Sequence, residues 1–196
     1  LEHRRQRQMC IRDRSKVTGL VDKGADKGAL ILTERTLKDA ESGLDLATLT
    51  STTFARGNGG YDGPSDEAPR PHKVPEREPD FAVDLTTLDM AALIYRLSGD
   101  YNPLHASPSV ARAAGFPKPI LHGLCSLGVA GHAILKGCCD YDAKRLKSLQ
   151  LRFSSPVYPG ETMRTEIWRD GANISFKSKI VERDVVVLDN GHATVE

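Results

Sequence analysis

The sequence predicts an α+β fold in which an antiparallel sheet wraps around one buried helix. Residues 122–137 are dense in small and apolar side chains, a composition typical of a helix that is covered on most sides. Four segments with strand patterns follow it, near 146–154, 162–169, 173–182 and 184–188. A helix followed by a series of strands joined by short turns favours an antiparallel sheet with that helix packed on one face.

The first 56 residues predict a tail and a two-stranded hairpin. Residues 1–15 contain five arginines and no apolar periodicity, and they are interpreted as a non-native or disordered tail. A basic arm that binds nucleic acid is the alternative interpretation. Residues 29–36 and 44–54 have strand patterns on either side of a turn. Because an isolated hairpin is marginally stable in water, residues 16–56 either join the later sheet or are the remnant of an N-terminal domain.

A linker and a second domain are predicted next. Residues 57–79 are rich in glycine and proline between mixed charges, and such a composition cannot form a core. The second domain is therefore expected at residues 80–196.

Two helices are expected before the central one. Thr86 or Thr87 can cap the N-terminus of the first helix. The apolar face of this helix consists of Leu88, Ala91, Ala92, Ile94 and Leu97. The second is a short helix that begins at Ser107-Pro108 and ends at Gly115.

Composition argues against several classes of function. Hydrophobic residues make up 39% of the chain, and its 27 basic and 26 acidic residues give a net charge of +1. Because there is no excess of basic residues, the composition does not favour a nucleic-acid partner. The apolar stretches are too short to span a bilayer. The four cysteines lack the spacing of a zinc site and are expected to be reduced, which indicates a reducing compartment; they are Cys10, Cys125, Cys138 and Cys139.

One short segment carries most of the polar chemistry. It reads Ser98-Gly99-Asp100-Tyr101-Asn102-Pro103-Leu104-His105. Gly-Asp and Asn-Pro are loop dipeptides, and a residue before proline is disfavoured in a helix. Asp100 and His105 are therefore expected on a tight loop, where they can act as a general acid and base on one reacting atom. A turn whose Asp and Asn bond only to their own backbone is the alternative.

The flanking residues narrow this choice. Tyr95 precedes the segment, and Pro119-Ile120-Leu121-His122-Gly123 follows it. The whole run resembles the signature of the MaoC-like dehydratases and type 2 enoyl-CoA hydratases. Residues 153–161 resemble the strand and turn that this family has after its central helix. Two separated matches are more specific than one short motif, and the resemblance extends over roughly residues 80–189.

The resemblance implies a hot-dog fold and assigns the site residues. Some members of the family have two hot-dog repeats in one chain. The resemblance to them implies that this chain is the remnant of a double hot-dog, in which residues 16–56 are what is left of the first repeat. Asp100 and His105 are implied to be the dyad that activates water and protonates the α-carbon, with Asn102 holding the water. The N–H of Gly123 is implied to form the oxyanion hole, since a helix start offers unpaired donors. A packing role for this glycine is the alternative.

The implied reaction is a hydro-lyase interconversion of trans-2-enoyl-CoA and (R)-3-hydroxyacyl-CoA in fatty acid metabolism or β-oxidation. It uses no metal and no cofactor, the coenzyme A thioester being the substrate. A hot-dog acyl-CoA thioesterase and a non-catalytic acyl-CoA-binding or dimerisation module are the alternatives. The expected partners are the acyl-CoA and a second repeat, in a homodimer or a pseudo-dimer, with no nucleic acid and no membrane. The expected location is the cytoplasm, or the peroxisome in a eukaryote.

Other candidate residues receive lesser roles. His122 is expected to be structural or to line the site without reacting, and His132 is expected to be a packed core histidine. Cys125 is expected to act as a small hydrophobic residue. The phosphates of coenzyme A need cationic contacts, for which the candidates are Lys118, Arg145, Lys147 and Arg152.

Overall fold

A computed structural model describes residues 11–65 and 70–196 of the protein. The chain divides into two compact units, Leu1–Arg70 and Pro71–Glu196. The division lies inside the segment predicted to be a linker, and residues 57–65 and 70–79 contain no helix or strand. Among the described residues, no helix is long and apolar enough to cross a membrane.

The first unit is a three-stranded antiparallel sheet of order β1-β2-β3. Its strands are β1 (Ile11–Asp22), β2 (Ala29–Asp39) and β3 (Asp45–Ala55). The predicted hairpin corresponds to β2 and β3, whereas β1 was missed. Residues 11–15 were assigned to a tail, and this boundary was wrong because they pair with β2 in register, Ser15 opposite Arg35. The rest of the predicted tail, including Cys10, lies outside the described residues.

Charged residues that pair across the strands explain why β1 was not predicted from the sequence. Lys16 Nζ lies 2.8 Å from Glu34 Oε1 across the two strands, and Arg35 Nη1 lies 4.0 Å from Asp13 Oδ2. Lys16 and Glu34 face each other and Asp13 and Arg35 are diagonal neighbours; opposite charges at such positions stabilise a strand pair, but in the sequence they resemble a polar tail.

The second unit is built on a five-stranded antiparallel sheet of order β4-β6-β7-β8-β5. Its strands are β4 (Phe81–Thr86), β5 (Leu146–Phe153), β6 (Thr162–Asp170), β7 (Asn173–Ile180) and β8 (Val185–Val195). Its helices are α1 (Ala91–Arg96), α2 (Pro108–Ala113) and α3 (Gly123–Cys138), and a 3₁₀ turn covers Pro103–His105. A second 3₁₀ turn, Ala143–Arg145, leads into β5.

The core lies between α3 and one face of this sheet. Helix α3 packs against β4, β5 and β6, and Ala130, Ala133 and Ile134 are fully buried there. Side chains alternate in burial along β6 and β7, as expected for a sheet with one covered face. The predicted α+β architecture, a sheet wrapped on a central helix, is confirmed, and the fold is the hot-dog fold.

Two helix predictions need correction. Helix α1 is capped at Met90, not at Thr86 or Thr87, because residues 81–86 form β4 and Thr87 Oγ1 donates to the Glu161 carbonyl. The predicted apolar face of this helix is exposed: only Ala92 is buried in α1, while Leu97 is 79% exposed.

Helix α3 was expected to be apolar and buried nearly all round, but one side is open. Leu124 is 63% exposed, and His132, expected in the core, is also exposed. The His132 ring lies against the Tyr141 ring, with ring centroids 5.6 Å apart. The helix is therefore buried on the side that faces the sheet and exposed at Leu124 and His132.

Candidate active site

The loop from Ser98 to His105 connects α1 to the 3₁₀ turn. Gly99 has a φ of +113°, a conformation that glycine adopts without steric cost. The Asp100 carboxylate accepts a hydrogen bond from the Asn102 amide at 3.2 Å, an Asx turn that closes the loop locally. Asn102 has ψ of 121°, the extended geometry expected before proline. Local chemistry therefore fixes the loop before any tertiary contact.

His105 ends the 3₁₀ turn and is held in one tautomer. Its side chain is buried, 9% exposed, and its Nδ1 lies 2.8 Å from the Ile120 carbonyl oxygen. Because a carbonyl oxygen only accepts, Nδ1 carries the proton and donates it. The Nε2 atom is left with its lone pair, which is the state required of a general base.

The structure brings Asp100 close to this imidazole. One carboxylate oxygen of Asp100 and one nitrogen each of His105 and His122 lie within 4.8 Å of one another. Two polar atoms at this separation can be bridged by a single water at ordinary hydrogen-bond lengths. The Asp100 side chain is 53% exposed, so this water can be exchanged with solvent.

His122 contacts both Asp100 and His105. Its ring stacks on that of His105, with centroids 3.8 Å apart and planes 23° apart. Its Nε2 lies 3.2 Å from the Asp100 carbonyl oxygen and 4.0 Å from Asp100 Oδ2. Burial is the main cause that lowers the pKa of His122, and the proximity of His105 and Arg96 acts in the same direction; the hydrogen bond to the Asp100 carbonyl and the Asp100 carboxylate oppose them.

Asn102 and Gly123 occupy different positions around the loop. Asn102 Oδ1 accepts from the Leu104 amide at 3.0 Å, so its oxygen is used in the turn, whereas its NH₂ group has no hydrogen-bond partner among the described residues. Gly123 is the first residue of α3, and within residues 11–65 and 70–196 its N–H donates to no acceptor. A methyl group added at Gly123 would lie 3.3 Å from the Phe153 ring.

Two clefts meet at His105. The first, of about 310 Å³, is lined mainly by apolar residues and by Gly123; among them are Phe116, Phe153 and Leu188. The second, of about 350 Å³, is lined by Asp89, Leu93, Lys118 and Pro159 among others. The catalytic candidate His105 therefore contacts an apolar cavity on one side and a partly charged one on the other.

A metal ion fits this cluster poorly, although Asp100, His105 and His122 are three potential ligands. An imidazole binds a metal ion in the plane of its ring, along the nitrogen lone pair. The two rings are stacked and nearly parallel, so one ion cannot lie close to both nitrogens and in both planes. The expected absence of a metal remains a prediction.

Of the four cationic candidates for the phosphates, two are held in ion pairs and one lines a cleft. Arg145 pairs with Asp140, and Lys147 pairs with Glu196. Lys118 lines the second cleft, with its Nζ 5.3 Å from the centre of the Tyr158 ring.

Burial raises the pKa of the Cys125 thiol, which agrees with the expectation that this thiol is unreactive.

The fold and the loop define a class of protein: a hot-dog domain with a carboxylate–imidazole pair on the loop between its first two short helices. Residues 71–191 match the family described as MaoC like domain, and the chain belongs to this family. The predicted resemblance is confirmed by this match.

Named relatives and a solved structure agree with the assignment. The chain is 43% identical over 183 residues to 3-hydroxyacyl-thioester dehydratase Y of Mycobacterium tuberculosis, covering 90% of this chain and 63% of that protein. It is 41% identical over 181 residues to Enoyl-CoA hydratase 2, peroxisomal, of Arabidopsis thaliana, covering 88% and 58%. A MaoC-like dehydratase from Phytophthora capsici superimposes with a TM-score of 0.82 at 41% identity, covering 95% of this chain and 64% of that one. The chain thus spans less than two thirds of the length of these relatives.

Proposed function

We propose that this chain catalyses the reversible addition of water to trans-2-enoyl-CoA, giving (R)-3-hydroxyacyl-CoA. The observation that supports this most strongly is the pair formed by Asp100 and His105, whose polar atoms lie within 4.8 Å of each other. His105 lines the same cleft as Gly123, the first residue of α3. The names of the relatives, a dehydratase and a hydratase, support the same reaction. The (R) configuration rests on the family resemblance.

The geometry suggests a division of roles. His105 Nε2 takes a proton from the water held between the dyad as the water oxygen bonds to C3 of the enoyl group. The electron pair of the double bond moves toward C2 and the thioester oxygen, which the Gly123 N–H stabilises. The proton is then returned to C2 through the dyad, so the water is added completely. Asp100 shares the proton transfer with His105, and Asn102 orients the water. No step needs a resident metal or redox cofactor.

The two clefts suggest how the substrate lies. Apolar side chains line the first cleft, which suits the acyl chain. Lys118 in the second cleft suits the phosphates of coenzyme A. In this orientation the thioester crosses His105 between the two. Replacing Lys118 by Ala should raise KM for an enoyl-CoA and leave KM for the shorter enoyl-pantetheine unchanged.

Association with a second copy of this chain is proposed as well. Large apolar side chains in and around α1 are exposed by 47–79%, namely Leu88, Met90, Leu93, Ile94 and Leu97. A contiguous apolar surface of this kind marks an interaction site. A second copy would cover it in the way that paired repeats do in the family, which suggests a homodimer.

A hydration assay with crotonyl-CoA tests the function against its alternatives. Loss of the enoyl absorbance without release of free thiol supports a hydratase. Release of coenzyme A thiol at the same rate would indicate a thioesterase, and binding without turnover would indicate an acyl-CoA-binding module.

A further inference from the structure

His122 is a buried titratable group to which the proposed reaction gives no chemical step. It is 1% exposed, and its Nε2 faces the Asp100 carbonyl oxygen at 3.2 Å. Since that oxygen only accepts, Nε2 carries the proton. The Nδ1 atom is buried and has no hydrogen-bond partner in the described part of the chain. A buried polar atom left without a partner is costly, which indicates that this imidazole is kept for its other contacts.

Those contacts reach both members of the dyad. One ring edge donates to the backbone of Asp100, and one ring face stacks on His105 at 3.8 Å. The Tyr95 ring packs on the same imidazole, with centroids 4.6 Å apart. His105 is also held by the hydrogen bond from its Nδ1 to the Ile120 carbonyl oxygen. The position of each dyad member therefore depends on the place and the protonation of His122.

We propose that His122 is a positioning residue whose neutral imidazole, protonated on Nε2, holds Asp100 and His105 so that they share one water. This role deepens the proposed hydratase function and rests on it. A displacement of about 1 Å in a catalytic group can cost on the order of 10² in rate. His122 thus acts through Asp100 and His105 and not on the substrate.

The surroundings favour the neutral form of His122. Arg96 from α1 and a protonated His105 from the 3₁₀ turn disfavour a positive charge on it, whereas the Asp100 carboxylate and carbonyl favour one. Burial outweighs these effects and lowers the pKa of His122. A proton on Nδ1 would also place a buried donor where the described residues supply no acceptor.

Two substitutions separate the two contacts of His122. His122→Phe keeps a ring to stack on His105 and removes the donor to Asp100, while His122→Gln keeps an N–H donor and removes the ring. The matched controls are His132→Phe and His132→Gln, because His132 is exposed on the same helix and far from the dyad's contacts.

Steady-state hydration of crotonyl-CoA and the ¹⁵N spectrum of the imidazoles are measured for each variant of the full chain. We expect kcat to fall by about 10–10² in both His122 variants, with KM little changed, and the His105 signals to move from a single Nδ1–H tautomer toward a mixture. Both His132 controls should match the unsubstituted chain.

Three results would overturn the proposal. The first is that both His122 variants keep the wild-type kcat and His105 spectrum. The second is that kcat falls together with melting temperature while the His105 signals stay unchanged, which would mean that His122 contributes general stability only. A loss as deep as that of His105→Gln with an undisturbed His105 spectrum would make His122 a proton-transfer group. If the unsubstituted chain fails to hydrate crotonyl-CoA, the proposed function fails, and the His105 spectrum still decides whether His122 positions that ring.

Discussion

Replacing Gly123 by proline tests the assignment of its N–H to the thioester oxygen. Proline is tolerated at the first position of a helix, where its missing N–H has no intrahelical partner. The preceding residue must be extended, and His122 already has φ −61° and ψ 137°. The substitution therefore removes one donor while the start of α3 is retained.

The expected loss follows from the cost of removing one oxyanion donor, which is about 10²–10³ in kcat. Gly123→Ala keeps the N–H but adds a methyl group 3.3 Å from the Phe153 ring, which narrows the first cleft. Phe153 is 50% exposed and can turn aside, so the alanine variant should lose mainly affinity, seen as a higher KM.

The control is Gly128→Ala, on the exposed side of the same helix, where an added methyl group meets nothing within 4 Å. It should raise stability by about 0.5–1 kcal/mol with no change in rate. Hydration of crotonyl-CoA and thermal unfolding are measured for all three variants. Equal losses of kcat in the proline and alanine variants, or none in the proline variant, would refute the donor role.

Three further outcomes are expected. Asn102→Ala should lower kcat less than His105→Gln, because Asn102 orients the water and does not transfer its proton; an equally deep loss in a folded variant would point to a chemical role. The hydrogen bond from the Arg77 guanidinium, and after it the one from the Arg169 amide, lower the pKa of Asp80 from a usual 3.8 to about 2. This carboxylate therefore stabilises the fold above about pH 4, and its contribution is lost as the pH falls toward 2. Acid unfolding of Asp80→Asn should therefore be less steep in that range, and an unchanged profile would contradict this. Light scattering should show a dimer that Leu97→Asp converts toward monomer; a stable, active monomer without the substitution would disprove the proposed association.

Local sequence chemistry predicted much of the fold and of the loop. The turn at Asp100 and Asn102 is closed by its own side chains, and the dipeptides that build it are visible in the sequence. The dense small residues of α3 likewise indicated its position within one residue at each end. Features of this kind are predictable because the residues that form them are neighbours in the chain.

Features that depend on distant partners were missed. The short alternating strand β4 becomes recognisable only through its pairing with β6, Val83 opposite Thr165. The exposure of the apolar face of α1 was not predicted, since periodicity shows that a face is apolar but not what covers it. His122 was expected to be structural or to line the site, but its stacking on His105 was not predicted, because that contact arises from tertiary folding.

The most direct test of the account is the hydration of crotonyl-CoA by Asp100→Asn and His105→Gln beside the unsubstituted chain. Each substitution keeps the size of the side chain and removes its acid–base function. We expect kcat to fall by roughly 10²–10⁴ in each, while circular dichroism and melting temperature stay close to those of the unsubstituted chain. Near-normal turnover by either folded variant at saturating substrate would contradict the dyad.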